Sequence, residues 1–344
     1  DISTGEFATA QFRDRESLES EMMRYSPAEV IIPEGNENVE NWMKALGVNI
    51  TPCKADSWMY PVSKKALEER FGSVEELNTY PMAITAAGAI LSYAVDTQFS
   101  DLPHLRPPSL MVKAKTMTLD AVTLRNLEIV RTISDSSKDT LFAVLNKSST
   151  AGGSRRMKDW LLRPLHDLER INERHDAVQE LFENTLSRRE IRDILKGFQD
   201  VERLLSRLGH GSISPRDLDS LKSSLNTVKD LKQFLSEEPL KSKLMKKLVK
   251  SIDTHKQVSK KLEEAIVEDP PLVLRDGGIF KKGYSKELDD LRSKASSGRE
   301  WVASLENEEK EKTGIPKLKI GYNRVFGYYI EVPKTYAKKV PESY

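Results

Sequence analysis

The stretch KIGYNRVFGYYIEVPK, residues 319–334, reads as a β-hairpin in a chain that elsewhere reads mostly as helix. Leu318, Ile320 and Tyr322 alternate with Lys317, Lys319 and Gly321 on the way out. On the return, Tyr328, Ile330 and Val332 share one face, and Tyr329 and Glu331 the other. Period-two alternation predicts one face that packs down and one that meets solvent or a ligand. A two-stranded hairpin is marginal by itself in water, so something must support it. Between Lys317 and Lys339 the basic residues are Lys317, Lys319, Arg324, Lys334, Lys338 and Lys339, against Glu331 alone on the acidic side. Lysines without a planar recognition group suit phosphate contacts, which position a protein without reading sequence. The plainer alternative is lysine placed on an exposed strand to discourage edge pairing.

Working back along the chain, Leu288, Leu291, Ala295, Gly298, Val302 and Leu305 recur at spacings of three and four. That is an a/d heptad seam, and it predicts a helix over 286–313, roughly 40 Å long at about 1.5 Å per residue. Gly314 and Pro316 supply its stop signals. The helix carries Glu306, Glu308, Glu309 and Glu311 just before the hairpin, so positive charge is concentrated towards the tip. A seam needs a facing helix; the stripe could pair with the same helix of a second molecule, fold against the core or stay mobile, and self-association through residues 286–313 is the expected outcome.

Further upstream the pattern stays helical. RRMKDWLLRPL, ERINERHDAVQELF, REIRDILKGF and DVERLLSRL read as amphipathic helices, and Leu119, Val122, Leu127 and Ile129 begin this region. SPRDLDSLKSSL opens with Ser214 as a cap and Pro215 at the first helical position. The lysine-rich KLMKKLVK (243–250) reads as a solvated helix face. DLPHLRPPSL (101–110), with three prolines, reads as a linker. Before it, the short β-branched run VIIP (30–33) lies among the helical stretches RESLESEMMRY, SKKALEERF and YPMAITAAGAILSYAVDT, a mixture that predicts an α/β layer fold.

With 54 basic and 53 acidic residues in 344, net charge singles out no partner, and a polyanion site would have to come from local clustering. The single cysteine, Cys53, excludes an intrachain disulfide framework and fits a reducing compartment. The five histidines lack metal-ligand spacing, and no apolar run is long enough to span a bilayer. The chain begins at Asp1, in DISTGEF, as if inside a strand and turn, so it reads as a piece of a longer protein.

KLKIGYNRVFGYYIEV (317–332) resembles the clamp hairpin of the MutS family of DNA mismatch-repair proteins. LDAVTLRNLEI (119–129) and TLFAVLNKSSTAGGSRRMKDWLLRPL (140–165) resemble the start of that family's helical core. DISTGEF and AAGAILSYAVDTQ resemble its connector, and PPLVLRDGGIFKKGY the turn into the clamp. The resemblance runs in order over essentially the whole chain. It implies a ribonuclease H-like α/β connector at 1–105, the first part of an all-α core (lever) at 106–285, and a coiled-coil clamp arm tipped by the hairpin at 286–344.

In such proteins two clamp arms of a homodimer reach across duplex DNA and touch its backbone without reading sequence. By match to the motif, Asn323 is the first candidate for a phosphate contact; Arg324, Lys317, Lys319 and Lys334 follow from charge. The resemblance also implies ATP and magnesium in the full-length parent, a MutL-type repair partner through the connector, and a cytoplasmic or nucleoid-associated location. This chain itself shows no Phe-x-Glu mismatch wedge and no GxxxxGK[ST] phosphate loop. We therefore expect no cofactor, no ATP hydrolysis and no mismatch discrimination from it alone. Three rivals remain at this stage. One is a family paralogue that binds branched DNA, and another a coiled-coil scaffold without DNA binding. The third is a two-metal nuclease using Asp1, Glu29, Glu34 and Asp96.

Overall fold

The computed structural model describes residues 1–98, 101–111, 116–117, 119–134, 136–323, 325 and 327–341. They form two units, residues 1–279 and 280–344.

The first unit opens with β1 (Ala8–Thr9), α1 (Arg15–Tyr25), β2 (Val30–Pro33), α2 (Glu37–Ala45) and β3 (Ile50–Cys53). It continues with α3 (Tyr60–Phe71), α4 (Pro81–Gln98) and β4 (Ser109–Leu110). Side chains start the first two helices: Asp14 accepts the Ser17 N–H and Asn36 the Val39 N–H. The strands pair two by two and in parallel, β1 with β4 and β2 with β3. Phe7, Leu67, Val74, Leu77, Ile84 and Leu91 make one core cluster, with Leu110 of β4 packed against it.

The closest approach in that core is between α3 and α4. A Cβ on Gly88 would sit 2.3 Å from the Ser63 Cβ and 2.4 Å from its Cα. Ser63 Oγ donates to the Ser57 carbonyl at 3.0 Å or to the Thr85 carbonyl at 3.2 Å, satisfying a hydroxyl that is almost fully buried. The small residues Ala83, Ala87, Gly88 and Ala94 of α4 are buried, which is why so apolar a run stays inside.

The segment 101–110 is not a free linker. Arg106 N–H donates to the Gly5 carbonyl at 2.9 Å, Ser109 N–H to Phe7 at 2.9 Å, and Arg70 donates to the Leu102 carbonyl at 2.6 Å. Extended, proline-flanked backbone has unpaired polar groups, and residues 5–9 present an open edge that pairs them.

The helical part comprises α5 (Ala121–Asn126), α6 (Leu141–Leu145), α7 (Ala151–Leu162), α8 (Leu168–Glu183) and α9 (Thr185–Leu195). It goes on through α10 (Val201–Gly209), α11 (Pro215–Glu237), α12 (Lys243–Ser251) and α13 (Lys256–Ala265). α11 is started by a reciprocal capping box: Ser214 Oγ accepts the Asp217 N–H at 3.1 Å and Asp217 accepts the Ser214 N–H at 3.0 Å. Glu180 performs a similar task at a distance, accepting the backbone N–H groups of Lys241 and Ser242 ahead of α12. Ala177, Leu235 and Met245 join α8, α11 and α12 in one cluster, while the lysines of 243–250 stay exposed.

At the start of this region the burial differs from the sequence reading. Leu119, Leu124, Ile129 and Leu162 are buried together, whereas Val122 and Leu127 are exposed. α5 is only one and a half turns long, so the apolar residues beyond it follow a turn rather than a helical face.

Long-range polar contacts tie residues 1–106 to the helices. The buried Arg24, paired with Glu21, donates to the Leu119 carbonyl at 3.1 Å across 95 residues of sequence. His104 Nε2 lies 2.7 Å from the Ile2 carbonyl, which also accepts from Ser206 Oγ. Arg155 grips Asp200 through two nitrogens and also reaches Glu202, whose other oxygen takes Arg106 at 2.9 Å. Those carboxylates push the Arg155 guanidinium further above its ordinary pKa, Asp200 contributing most.

In the second unit, Ser285 caps α14 (Lys286–Thr313), which Gly314 ends in the left-handed region at φ +61°. β5 (Lys319–Asn323) and β6 (Gly327–Glu331) follow, antiparallel. Along α14, Leu288, Val302 and Leu305 are half-buried and Leu291 is exposed. Among the described residues no helix is long and apolar enough to cross a membrane.

Candidate nucleic-acid interface

The hairpin is braced where it leaves α14. Ile315, Pro316, Lys317 and Leu318 form a turn closed by the Leu318 N–H on the Ile315 carbonyl at 3.2 Å. Proline suits its second position because its φ is already set. Ile315 and Leu318 are completely buried there. The first strand starts at Lys319, so Lys317, which the alternation put in the strand, stands on the turn instead.

A second brace is polar. Glu306 accepts the Ile320 N–H at 3.0 Å and pairs with Lys310 at 2.5 Å. The Lys310 ammonium first, and then the Ile320 N–H, hold the Glu306 carboxyl below its ordinary value. Because the folded-state pKa is depressed, this stabilisation is present above the ordinary glutamate value of 4.5 and is lost as pH falls through the lower folded one. We expect the Ile320 amide to lose hydrogen-exchange protection at neutral pH in Glu306→Ala. Wild-type protection, corrected for intrinsic exchange, should decline only below the ordinary glutamate range. Equal protection in both proteins would show that the contact does not hold the strand.

Register pairs Lys319 with Glu331, Ile320 with Ile330, Gly321 with Tyr329, and Tyr322 with Tyr328. The Tyr329 ring lies over Gly321, where a Cβ would come within 2.6 Å of its Cζ. On the other face Tyr322 and Tyr328 meet edge to face, centroids 5.1 Å apart, and both stay exposed. The apolar face therefore packs down only near Leu318 and Ile320. At the tip Asn323 Oδ1 accepts the Val325 N–H at 2.7 Å, and Gly327 takes φ +76°. Glycine takes that left-handed backbone without the Cβ clash another residue would meet, which suits it to the start of the return strand.

Lys317, Lys319 and Asn323 are exposed on this hairpin, and Lys334 is exposed at the start of the short 3-10 segment Lys334–Lys339. Lys319 sits opposite the acid Glu331, which tempers its charge. Arg324 lies outside the described residues. Sequence reading missed Glu306 as the strand's anchor; nothing in its helical setting marks it apart from its acidic neighbours.

The carboxylates of the nuclease reading are engaged or separate. Glu29 accepts from Thr51 and Tyr93, and Asp1 from Ser3; Glu34 and Asp96 are exposed. Among the described residues no three His, Cys, Asp or Glu side chains converge as a metal site would require.

Residues 1–106 match the family model for MutS domain II, and residues 122–319 match that for MutS domain III. The chain belongs to the MutS family. Three relatives carry the name DNA mismatch repair protein MutS. That of Methanosarcina acetivorans is 38% identical over all of this chain and 40% of the relative. That of Pelotomaculum thermopropionicum is 40% identical over all of this chain and 41% of the relative. That of Methanococcoides burtonii is 36% identical, again over all of this chain and 40% of the relative. The chain thus spans about two fifths of the length of the curated MutS relatives it matches.

Proposed function

We propose that this chain supplies the connector, the first part of the helical core and one clamp arm of a MutS-type protein that encircles duplex DNA in mismatch repair. The observation that carries this reading is a basic hairpin, braced by Ile315, Leu318 and Glu306 at the end of a 28-residue helix, with Lys317, Lys319 and Lys334 exposed around it. A rigid arm ending in cations is suited to touching phosphates without reading bases. Asn323 and Arg324 belong to the same proposed contact. The domain assignment is a ribonuclease H-like connector at 1–105, core at 106–285 and coiled-coil arm with hairpin at 286–344. The whole protein would act as a homodimeric, intracellular ATPase, cytoplasmic or nucleoid-associated, with a MutL-type partner engaging the connector. A paralogue directed to branched DNA would use the same arm, and a four-way junction in place of a mismatch duplex distinguishes it in a binding assay.

ATP and magnesium belong to the full-length protein in this reading. Gly152 and Gly153, the nearest imitation of a phosphate loop, lie in the first turn of α7, where Thr150 caps the helix by accepting the Gly153 N–H. We expect no change in the melting temperature of the 344-residue chain with ATP and magnesium; a measurable shift would overturn this part of the proposal.

In the 344-residue chain by itself, residues 286–313 are expected to pair with the same helix of a second copy through Leu288, Leu291, Val302 and Leu305, an association separate from the homodimer of the whole protein. Burying a leucine stabilises by about 1.5–3 kcal/mol, enough for several to drive association. Light scattering should report a dimer that Leu291→Glu with Leu305→Glu dissociates. A monomeric wild type with an ordered arm would refute it.

A further inference from the structure

Helices α7 and α8 bring Arg156, Arg170 and Arg174 together around Trp160. The guanidinium carbon of Arg174 lies 3.8 Å from the centre of the Trp160 ring. Arg156, one turn before Trp160, and Arg170, one turn before Arg174, are exposed, and Arg174 is half-buried. Arg174 is held below its ordinary pKa, by burial first and then by the positive charges of Arg170 and Arg156. The carboxylate that offsets them is Asp159, and it is divided. It pairs with Arg163, which lies over the Tyr25 ring, and stands 3.6 Å from Arg156. Among the described residues no carboxylate pairs with Arg170 or Arg174. The acids of α8, Glu169, Glu173, Asp176 and Glu180, line an open pocket of their own with Lys241 and Lys243.

We propose that this arginine group is a second contact for the sugar-phosphate backbone of duplex DNA, in the first unit and in addition to the hairpin. Guanidiniums held near one another repel, and an anion placed among them removes that repulsion. The planar fork of arginine takes phosphate oxygens two at a time. The group is spread over two helices and open to solvent, which suits a polyanion: each phosphate neutralised on a duplex releases condensed counterions, a gain that a free phosphate does not offer. Trp160 is a positioning residue. Its indole holds Arg174, so what meets the partner is charge, and such a contact reads no sequence. Local sequence could not mark the group: RRMKDWLLRPL and ERINERHDAVQELF read as two amphipathic helices, and their arginines meet only when the helices pack. Duplex DNA as the ligand comes from the function proposed above, but this contact does not require that the hairpin make its own.

Anisotropy titrations of a fluorescein-labelled duplex test this in the 344-residue chain, and in a Lys317→Gln/Lys319→Gln/Lys334→Gln background that lacks the hairpin cations. Arg156→Gln/Arg170→Gln should lower affinity on the order of tenfold in both, and the salt slope by about 1.8, for two contacts of about 0.9 each. Lys246→Gln/Lys247→Gln removes the same charge from the exposed side of α12 and should change affinity by less than about twofold. All four positions are exposed, and unchanged thermal unfolding keeps the comparison meaningful. A hairpin variant that binds as wild type, while the arginine variant loses affinity, would support this site and refute the hairpin contact alone. An unchanged affinity and salt slope in Arg156→Gln/Arg170→Gln, an equal loss in the lysine control, or no duplex binding at low salt would overturn the proposal. So would displacement of the duplex from the hairpin variant by inorganic phosphate at constant ionic strength, which marks a small-anion site. Displacement by polyglutamate in preference to unlabelled duplex would overturn it too, in favour of an acidic protein surface.

Discussion

Replacing Lys317, Lys319 and Lys334 by glutamate in the full-length protein is expected to weaken duplex binding on the order of 10- to 100-fold, equally for matched and mismatched DNA. Each phosphate contact releases condensed counterions and contributes about 0.9 to the slope of log affinity against log salt. Three lost contacts per arm should therefore flatten that slope as well as lower affinity, and anisotropy titrations over several salt concentrations read both. Lys319 requires a control, because it stands opposite Glu331 in the hairpin register. Glutamate there would place like charges across the strands and strain the hairpin. Lys317→Gln, Lys319→Gln and Lys334→Gln together remove the cations without that repulsion and should still lower the salt slope. A triple variant that altered mismatch preference while leaving matched-duplex affinity intact would remove the positioning role proposed for the hairpin.

The largest expected effect on stability lies in the first unit. Gly88→Val should destabilise the first unit by about 3 kcal/mol, the upper part of the usual cost of overpacking. The Cβ would meet Ser63 Cα and carbonyl oxygen within 2.7 Å, and backbone cannot swing aside as a side-chain tip can. α3 and α4 would have to separate, opening the cluster around Leu67 and Ile84. Ser63→Ala provides the contrast. It removes a hydroxyl hydrogen bond worth about 1 kcal/mol without forcing the helices apart. Urea unfolding should rank the two variants, and hydrogen exchange over 60–98 should rise throughout for Gly88→Val and locally for Ser63→Ala. If Gly88→Val behaved like a surface change, the close approach of the two helices would be wrong.

Local signals carried a good deal of the architecture. VIIP forms β2 at 30–33, RESLESEMMRY forms α1, and the seam ending before Gly314 forms α14. Ser214 and Pro215 open α11 as their chemistry predicts. Each of these depends on residues within about one turn or one strand of each other, so the sequence displays them directly. Lys317 was misplaced by one element because alternation continues through the turn that Pro316 initiates. Leu127 was misplaced because a helical period was extended beyond a six-residue helix, and Val122 lies within that helix on its exposed side.

The sequence by itself determined the helical content, the caps, the hairpin and the motifs that mark the family. Only the tertiary structure decided that 101–110 is stitched to residues 5–9, that Arg24 reaches Leu119, and that Arg155 joins Asp200, Glu202 and through it Arg106. It also decided that Glu306 holds the first strand of the hairpin, and that Arg156, Arg170 and Arg174 meet around Trp160. The physical reason is the range of the interactions. Caps and periodicity are set by neighbours along the chain. Burial and charge pairing depend on which distant surfaces meet once the helices pack, and no local pattern records that.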